Sequence, residues 1–274
     1  MSARSVARDT ALAADGQGAQ DRSAEGRWHG PLVTILSLLG LLLLWQLWAM
    51  IAGNGRLFPA PTAVLAKIGQ EWSSGELPMA MAVTLLRVAA SFVIAMAIGV
   101  ALGIVMGRVQ LADRIGQPWL VFFLNLPALV TIILAYIWIG LNDTAAIIAV
   151  ALNKIPNVVV TIREGARALD RGLLEMAAIF RVPRGRILRH VVLPQLQPYL
   201  FAAARSGLAL IWKIVLVVEL LGRSNGVGFQ LGVMFQLFDV AGILAYAISF
   251  IAAVQVIEWC ILQPLERRMV QWRR

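Results

Sequence analysis

Charge is scarce in this sequence. Only 14% of its 274 residues are Asp, Glu, Lys or Arg, well below the quarter or so typical of a soluble domain, which excludes an ordinary water-soluble globule. A single cysteine, Cys260, and two histidines, His29 and His190, rule out an internal disulfide and leave too few soft ligands for a Cys or His metal cluster. The histidines are far apart and read as surface residues. No G-x-x-x-x-G-K-[ST] stretch is present to cradle nucleotide phosphates, and there is no H-E-x-x-H and no G-x-S-x-G. Nor do two carboxylates share a helical face near a water-accessible end. The chain is therefore assigned no catalytic residue, no metal and no bound cofactor; any chemistry must come from a partner.

What the sequence does have is apolar length. It is 59% hydrophobic, with a mean hydropathy of +0.77. The stretches 31–52, 88–106 and 118–141 hold no charged side chain and are each long enough, as helices, to cross a hydrocarbon core. Residues 144–162 are interrupted only by Lys154, and 241–262 only by Glu258. A further span over 197–221 contains Lys213 and Glu219 and needs the apolar "LQPYLFAAA" to reach both faces. The expected fold is all-α, a polytopic membrane protein of about six transmembrane helices, at 31–52, 84–107, 118–141, 144–162, 197–221 and 241–262.

Basic residues set the expected orientation, because short loops rich in Lys and Arg stay cytoplasmic. One side collects the N-terminal tail, Arg108, Arg114, the loop from Arg163 to Arg205 and the C-terminal arginines, 18 of the 24 basic residues. The other side has Arg56, Lys67, Arg87 and Arg223. Both termini are expected in the cytoplasm, and the net charge of +9 requires no nucleic acid. Residues 1–30, with balanced Arg and Asp/Glu among Ala, Gly and Ser, read as a disordered cytoplasmic tail. The apolar run after it is too long for a signal peptide and lacks a small-residue cleavage site.

Three groups of residues stand out. Gly99, Gly103 and Gly107 recur every four positions and predict a close helix contact. Ionisable or polar groups at membrane depth usually face a cavity or each other; this marks Asn125, Lys154, Lys213 and Glu219 as candidates for a solute path. Lys213 and Glu219 lie six apart, about 600° around a helix, so they do not share a face. Snorkelling or a structural pair is the competing reading for Lys213. "LNLPAL" and "LNKIPN" add prolines that break the pattern of an inert span. The third group is the loop 163–196. "RGLLEMAAIF" places Leu173, Ala177 and Phe180 at helical spacing, Pro183 and Gly185 punctuate the chain, and "RILRHVVLP" begins another helix that Pro194 should kink or reset. Basic amphipathic helices often lie on anionic lipid, but that does not account for the order of small, acidic, basic and Leu-Pro positions.

That order resembles the EAA loop of binding-protein-dependent ABC importer permeases: E-A-A, three residues, Gly, nine residues, Ile, any residue, Leu-Pro. Glu175, Met176 and Ala177 stand at the first three positions, Val191 at the Ile, and Leu193 and Pro194 at the end. Arg181 stands where the pattern has glycine. Because Gly tolerates a positive φ and Arg does not, the turn is expected either to shift to "VPRG" or to keep its place with a slightly different loop geometry. "FPAPTAV", "TLLRVAASFVIAMAIGVALGIVMG", "VVELLGRSNGVGFQL" and "LERRMVQWRR" extend the likeness to the nitrate, sulfonate and taurine branch.

The resemblance implies a permease homodimer in a bacterial inner membrane. It would be capped by two ATPase subunits, which hold ATP and Mg, and fed by an extracytoplasmic substrate-binding protein. It also implies a coupling helix that seats in the ATPase through Ala177 and Ala178, with Glu175, Arg181 and Arg184 pairing at the rim. A small anionic solute would suit Lys154 and Lys213. An ATP-independent secondary transporter or channel is the alternative, though no repeat relates the two halves of the chain as such carriers often show.

Overall fold

The computed structural model describes Val33 and residues 36–264. The tail 1–30, the beginning of the first expected span and the C-terminal arginines lie outside the described residues. The chain divides into two units, 1–64 and 65–274. In the first, helix α1 (Leu36–Ala52) is apolar but short. Trp45 Nε1 donates to the Pro59 carbonyl at 3.1 Å, so the indole nitrogen keeps a partner. Helix α2 (Pro61–Ser73) starts on a proline and carries the chain into the second unit.

The second unit is helical throughout its described residues. Helices α3 (Glu76–Arg108) and α6 (Asp143–Arg167) each pass the length and hydropathy expected of a span, as do Gly185–Gly222 and Val240–Cys260. At 33 residues, α3 is about 50 Å long, more than a hydrocarbon core needs. Side chains that would be wrong on a soluble protein face outward, Leu86 at 71% and Val93 at 62% exposure, as a bilayer requires.

The expected third span is not one helix. Residues 110–139 form α4 (Gln110–Asn125) and α5 (Ala128–Ile139), bent by 97°. The cause is Pro127, which has no N–H to give the ladder and drives the residue before it out of the helical region. Leu126 accordingly sits at φ −74°, ψ 122°. Four helices are long and apolar enough to span among the described residues, or five if the bent pair makes one crossing; α1 is described only from Leu36.

Helices α3 and α6 form the most extensive helix pair, and the three glycines are the reason. A Cβ added at Gly99, Gly103 or Gly107 would stand 2.6, 2.7 or 2.5 Å from the Cβ of Val158, Ile162 or Ala166, distances that no real pair of carbons adopts. The backbones approach because the side chains are missing. Asn142 caps α6 by accepting from the Ala145 N–H at 2.8 Å, satisfying an otherwise orphaned donor. Helix α7 (Arg171–Ile179), α8 (Arg184–Ile187) and a π turn (Leu188–Val192) then lead into α9 (Leu193–Gly222). The short α10 (Val227–Gln236) and α11 (Val240–Ile257) complete the bundle. Its main core gathers α3, α5, α6, α9 and α11 around Ile132, Val150, Ile211 and Tyr246.

Candidate coupling loop and intramembrane polar residues

The loop between α6 and α9 is built from short helices fastened by caps. Asp170 starts α7: its Oδ1 accepts from the N–H of Gly172 at 2.8 Å and of Leu173 at 3.3 Å, as an N-cap does. Gln195 of α9 accepts from the Asp170 N–H at 2.9 Å, fastening the start of α7 to the next long helix. At the far end the Val182 N–H bonds to the Ala177 carbonyl at 3.0 Å, and Arg181 has φ 51°. This is a Schellman-type stop with the left-handed residue at Arg181. The expectation that the turn would move to "VPRG" is therefore corrected: it stays at the pattern's glycine position, and Arg accepts the strain. Pro183 instead opens α8, taking the N–H groups of Arg186 and Ile187 at 2.8 and 3.1 Å.

Pro194 does not end the helix, and the helical register resets just before it. The π turn before it widens the spiral, with the Leu193 N–H on the Leu188 carbonyl, which absorbs the crowding that a proline ring imposes on the preceding turn. A small apolar cluster of Ala166, Leu169, Val192 and Leu196, joined by Leu174 and Ile187, glues the loop to the bundle.

Burial corrects which face of α7 is free. Ala177, expected to nest in a partner, is only 8% exposed and turned into its own chain. Phe180, expected on the same stripe, is 73% exposed, beside Ile179 at 78% and Met176 at 49%. Glu175, Arg181, Leu193 and Pro194 are exposed as well. The backbones of Ala178 and Arg184 continue α7 and α8; their side chains lie outside the described part. The accessible surface is thus a large apolar patch with an acidic and a basic neighbour.

The four polar candidates do not converge. Asn125 is exposed at the end of α4 and donates to the Val121 carbonyl at 2.8 Å, just before the Pro127 break. Lys154 is only 2% exposed and lies across Gly207 of α9, where a Cβ would come within 2.8 Å of its Cε. Lys213 is exposed and lines a groove of about 380 Å³ between α9 and α11, with Trp212, Phe250, Gln255 and the Arg205–Glu258 pair. Glu219 has no exposure at all.

Glu219 belongs to a buried ion network that sequence reading missed. Arg87, counted above with the basic residues of the non-cytoplasmic side, is inside α3 and 4% exposed. Its Nη1 donates to Glu219 Oε1 at 2.6 Å and to the Asn225 carbonyl at 3.0 Å. Its Nε donates to Asp143 Oδ1 at 2.8 Å, and Nη2 reaches Asn225 Oδ1. The other oxygen of Glu219 accepts from Thr84 Oγ1 and from the Gly228 N–H, both at 2.9 Å. Arg223 adds a second cation to Asp143 at 3.1 Å. Gly226, at φ +103°, and Gly228 leave no room for a Cβ against Glu219, so "SNGVG" is a loop shaped around one carboxylate. The signal available in sequence was an arginine within an apolar helix, which seldom lacks an acidic partner.

A bundle of apolar helices with outward hydrocarbon faces, a helix pair bent at Pro127 and a capped helical loop defines a multi-pass membrane protein. The family model "Binding-protein-dependent transport system inner membrane component" matches residues 99–269, and the chain belongs to that family. The putative aliphatic sulfonates transport permease protein SsuC of Escherichia coli (strain K12) is 28% identical over 235 residues, covering 85% of this chain and 89% of its own. The taurine transport system permease protein TauC of the same organism is 26% identical over 257 residues, covering 90% and 93%. The inward-facing MetNI methionine ABC transporter superposes with a TM-score of 0.58 at 18% identity over 68% of this chain and 92% of that one, which shows the shared fold. The family's members are membrane permeases of ABC importers rather than enzymes, working with an ATPase and a substrate-binding protein.

Proposed function

We propose that this chain pairs with a second copy to form the path for a small anionic solute, in the class of sulfonates, taurine or similar oxyanions, and that α7 docks on the ATPase. The support is the capped α7, which presents Met176, Ile179 and Phe180 outward between Glu175 and Arg181. An exposed apolar patch with charged neighbours is what a protein partner covers. In this reading both termini and the loop are cytoplasmic, ATP and Mg are held by the partner chain, and the substrate-binding protein delivers solute to the opposite face. Lys213, accessible in its groove beside Trp212, offers the charge for an anion; the buried Lys154 borders the same helix, α9, from the α6 side.

The experiment is affinity purification of the tagged chain from its native membrane, with uptake measured in vesicles. An ATPase should copurify with the wild type, and Ile179→Glu should lose it, since a buried apolar anchor becomes a desolvated charge. Lys213→Met should keep the ATPase but lower uptake of a sulfonate. A chain that purifies alone and moves solute without ATP would establish the secondary-carrier alternative. Unchanged uptake in Lys213→Met would remove that residue from the path.

A further inference from the structure

Away from the docking face, α3, α4 and α6 enclose an apolar groove of about 530 Å³. Leu102 and Val105 of α3, Ile115 and Trp119 of α4, and Pro156 and Val159 of α6 form its walls, with no charged side chain among the lining residues. Leu102, Val105, Ile115 and Trp119 are all 46% exposed or more, so the groove opens outward between helices that face hydrocarbon.

Toward the loop end the chemistry of these two helix faces changes. Arg108 follows Val105 at i+3, and Arg163 and Arg167 follow Val159 at i+4 and i+8, spacing that keeps each on its helix's groove side. Arg108 and Arg167 line a second cavity of about 450 Å³, together with Leu174 of α7. Asp113 of α4 holds Arg163 and Arg167 at 3.3 and 2.5 Å. Arg108 is exposed and makes no ion pair among the described residues. Glu164 also pairs with Arg163 at 3.4 Å and with Arg167 at 3.2 Å, so Arg108 is the cation at this end with no carboxylate against it among the described residues, and the apolar slot carries its charged groups at one end only, the polarity of an amphiphile with a negative head.

We propose that this site binds one anionic phospholipid, an acyl chain in the groove and the phosphate at Arg108 and Arg167. Basic pockets between membrane helices at the cytoplasmic side recognise acidic head groups. A second protein helix would fill the groove without needing charge at one end. The site borders α7 through Leu174 and rests on the orientation proposed above, but its test reads lipid retention with no ATPase present, so loss of ATPase binding would leave that test unaffected. Because Leu174 is shared with α7, the lipid head would brace the loop from beneath.

The test is native mass spectrometry of the full chain in mild detergent, titrated with phosphatidylglycerol or with phosphatidylcholine of the same acyl chains. Phosphatidylglycerol should be retained over phosphatidylcholine, and Arg108→Gln should reduce its retention about fivefold, as one basic contact to an acidic head does. Ala112→Trp, which fills the groove, should abolish retention of either lipid, while Arg189→Gln, an exposed arginine of the π turn, should change nothing. Arg108→Gln alters an exposed side chain, so its outcome stands even if Ala112→Trp does not fold. Equal retention of the two lipids, or an equal loss in Arg189→Gln, would overturn the proposal. Full competition by inorganic phosphate would also overturn it, leaving an anion pocket without a lipid.

Discussion

Truncating Arg87 would strand Glu219, a carboxylate with no exposure, among apolar helices. Breaking a buried pair in this way costs about 3–5 kcal/mol, whereas removing both charges together is often far less harmful. Arg87→Met and Glu219→Gln should therefore each lower the denaturation temperature of the purified chain sharply. The double variant should be more stable than the sum of the singles implies, and the coupling can be read from a double-mutant cycle. Simple additivity would mean that the two groups act separately. None of this was legible from spacing, because the partners lie 132 residues apart and, viewed alone, Arg87 was one of the basic residues of the non-cytoplasmic side and Glu219 a path residue. Burial also reassigned Ala177: the helical period was correct, but a short helix with apolar residues on several faces does not say which of them meets its own bundle.

Elements were easier to read where one physical cause dominates. The glycine repeat predicted a close contact, and the geometry supplies its partner, α6. Gly103→Leu should therefore expel α6 or prevent folding, seen as loss of the monodisperse peak in size-exclusion chromatography. Gly69→Ala on α2, where a Cβ meets nothing within 4 Å, should leave that peak intact. The break at Pro127 was visible as a proline within an apolar run, but whether such a run bends or passes through is decided by packing around it. The stop at Arg181 illustrates the opposite error, in which a residue preference was overridden by the turn. A non-glycine residue in the left-handed region costs about 1–2 kcal/mol. Arg181→Gly should accordingly raise the protection of α7 amides in hydrogen exchange, while Arg181→Val should lower it.

At the scale of the whole molecule, apolar length was enough to place the long helices, because a bilayer leaves the backbone few choices. It could not show how the two ends communicate. The helix from Gly185 to Gly222 runs through 38 residues, about 57 Å at the usual rise. It starts two residues beyond Pro183, in the loop, and it carries Glu219 near its other end. One continuous element therefore has its first turns in the loop and its last turn on the carboxylate around which "SNGVG" is folded, so the segment that carries α7 and the grip on Arg87 share a backbone.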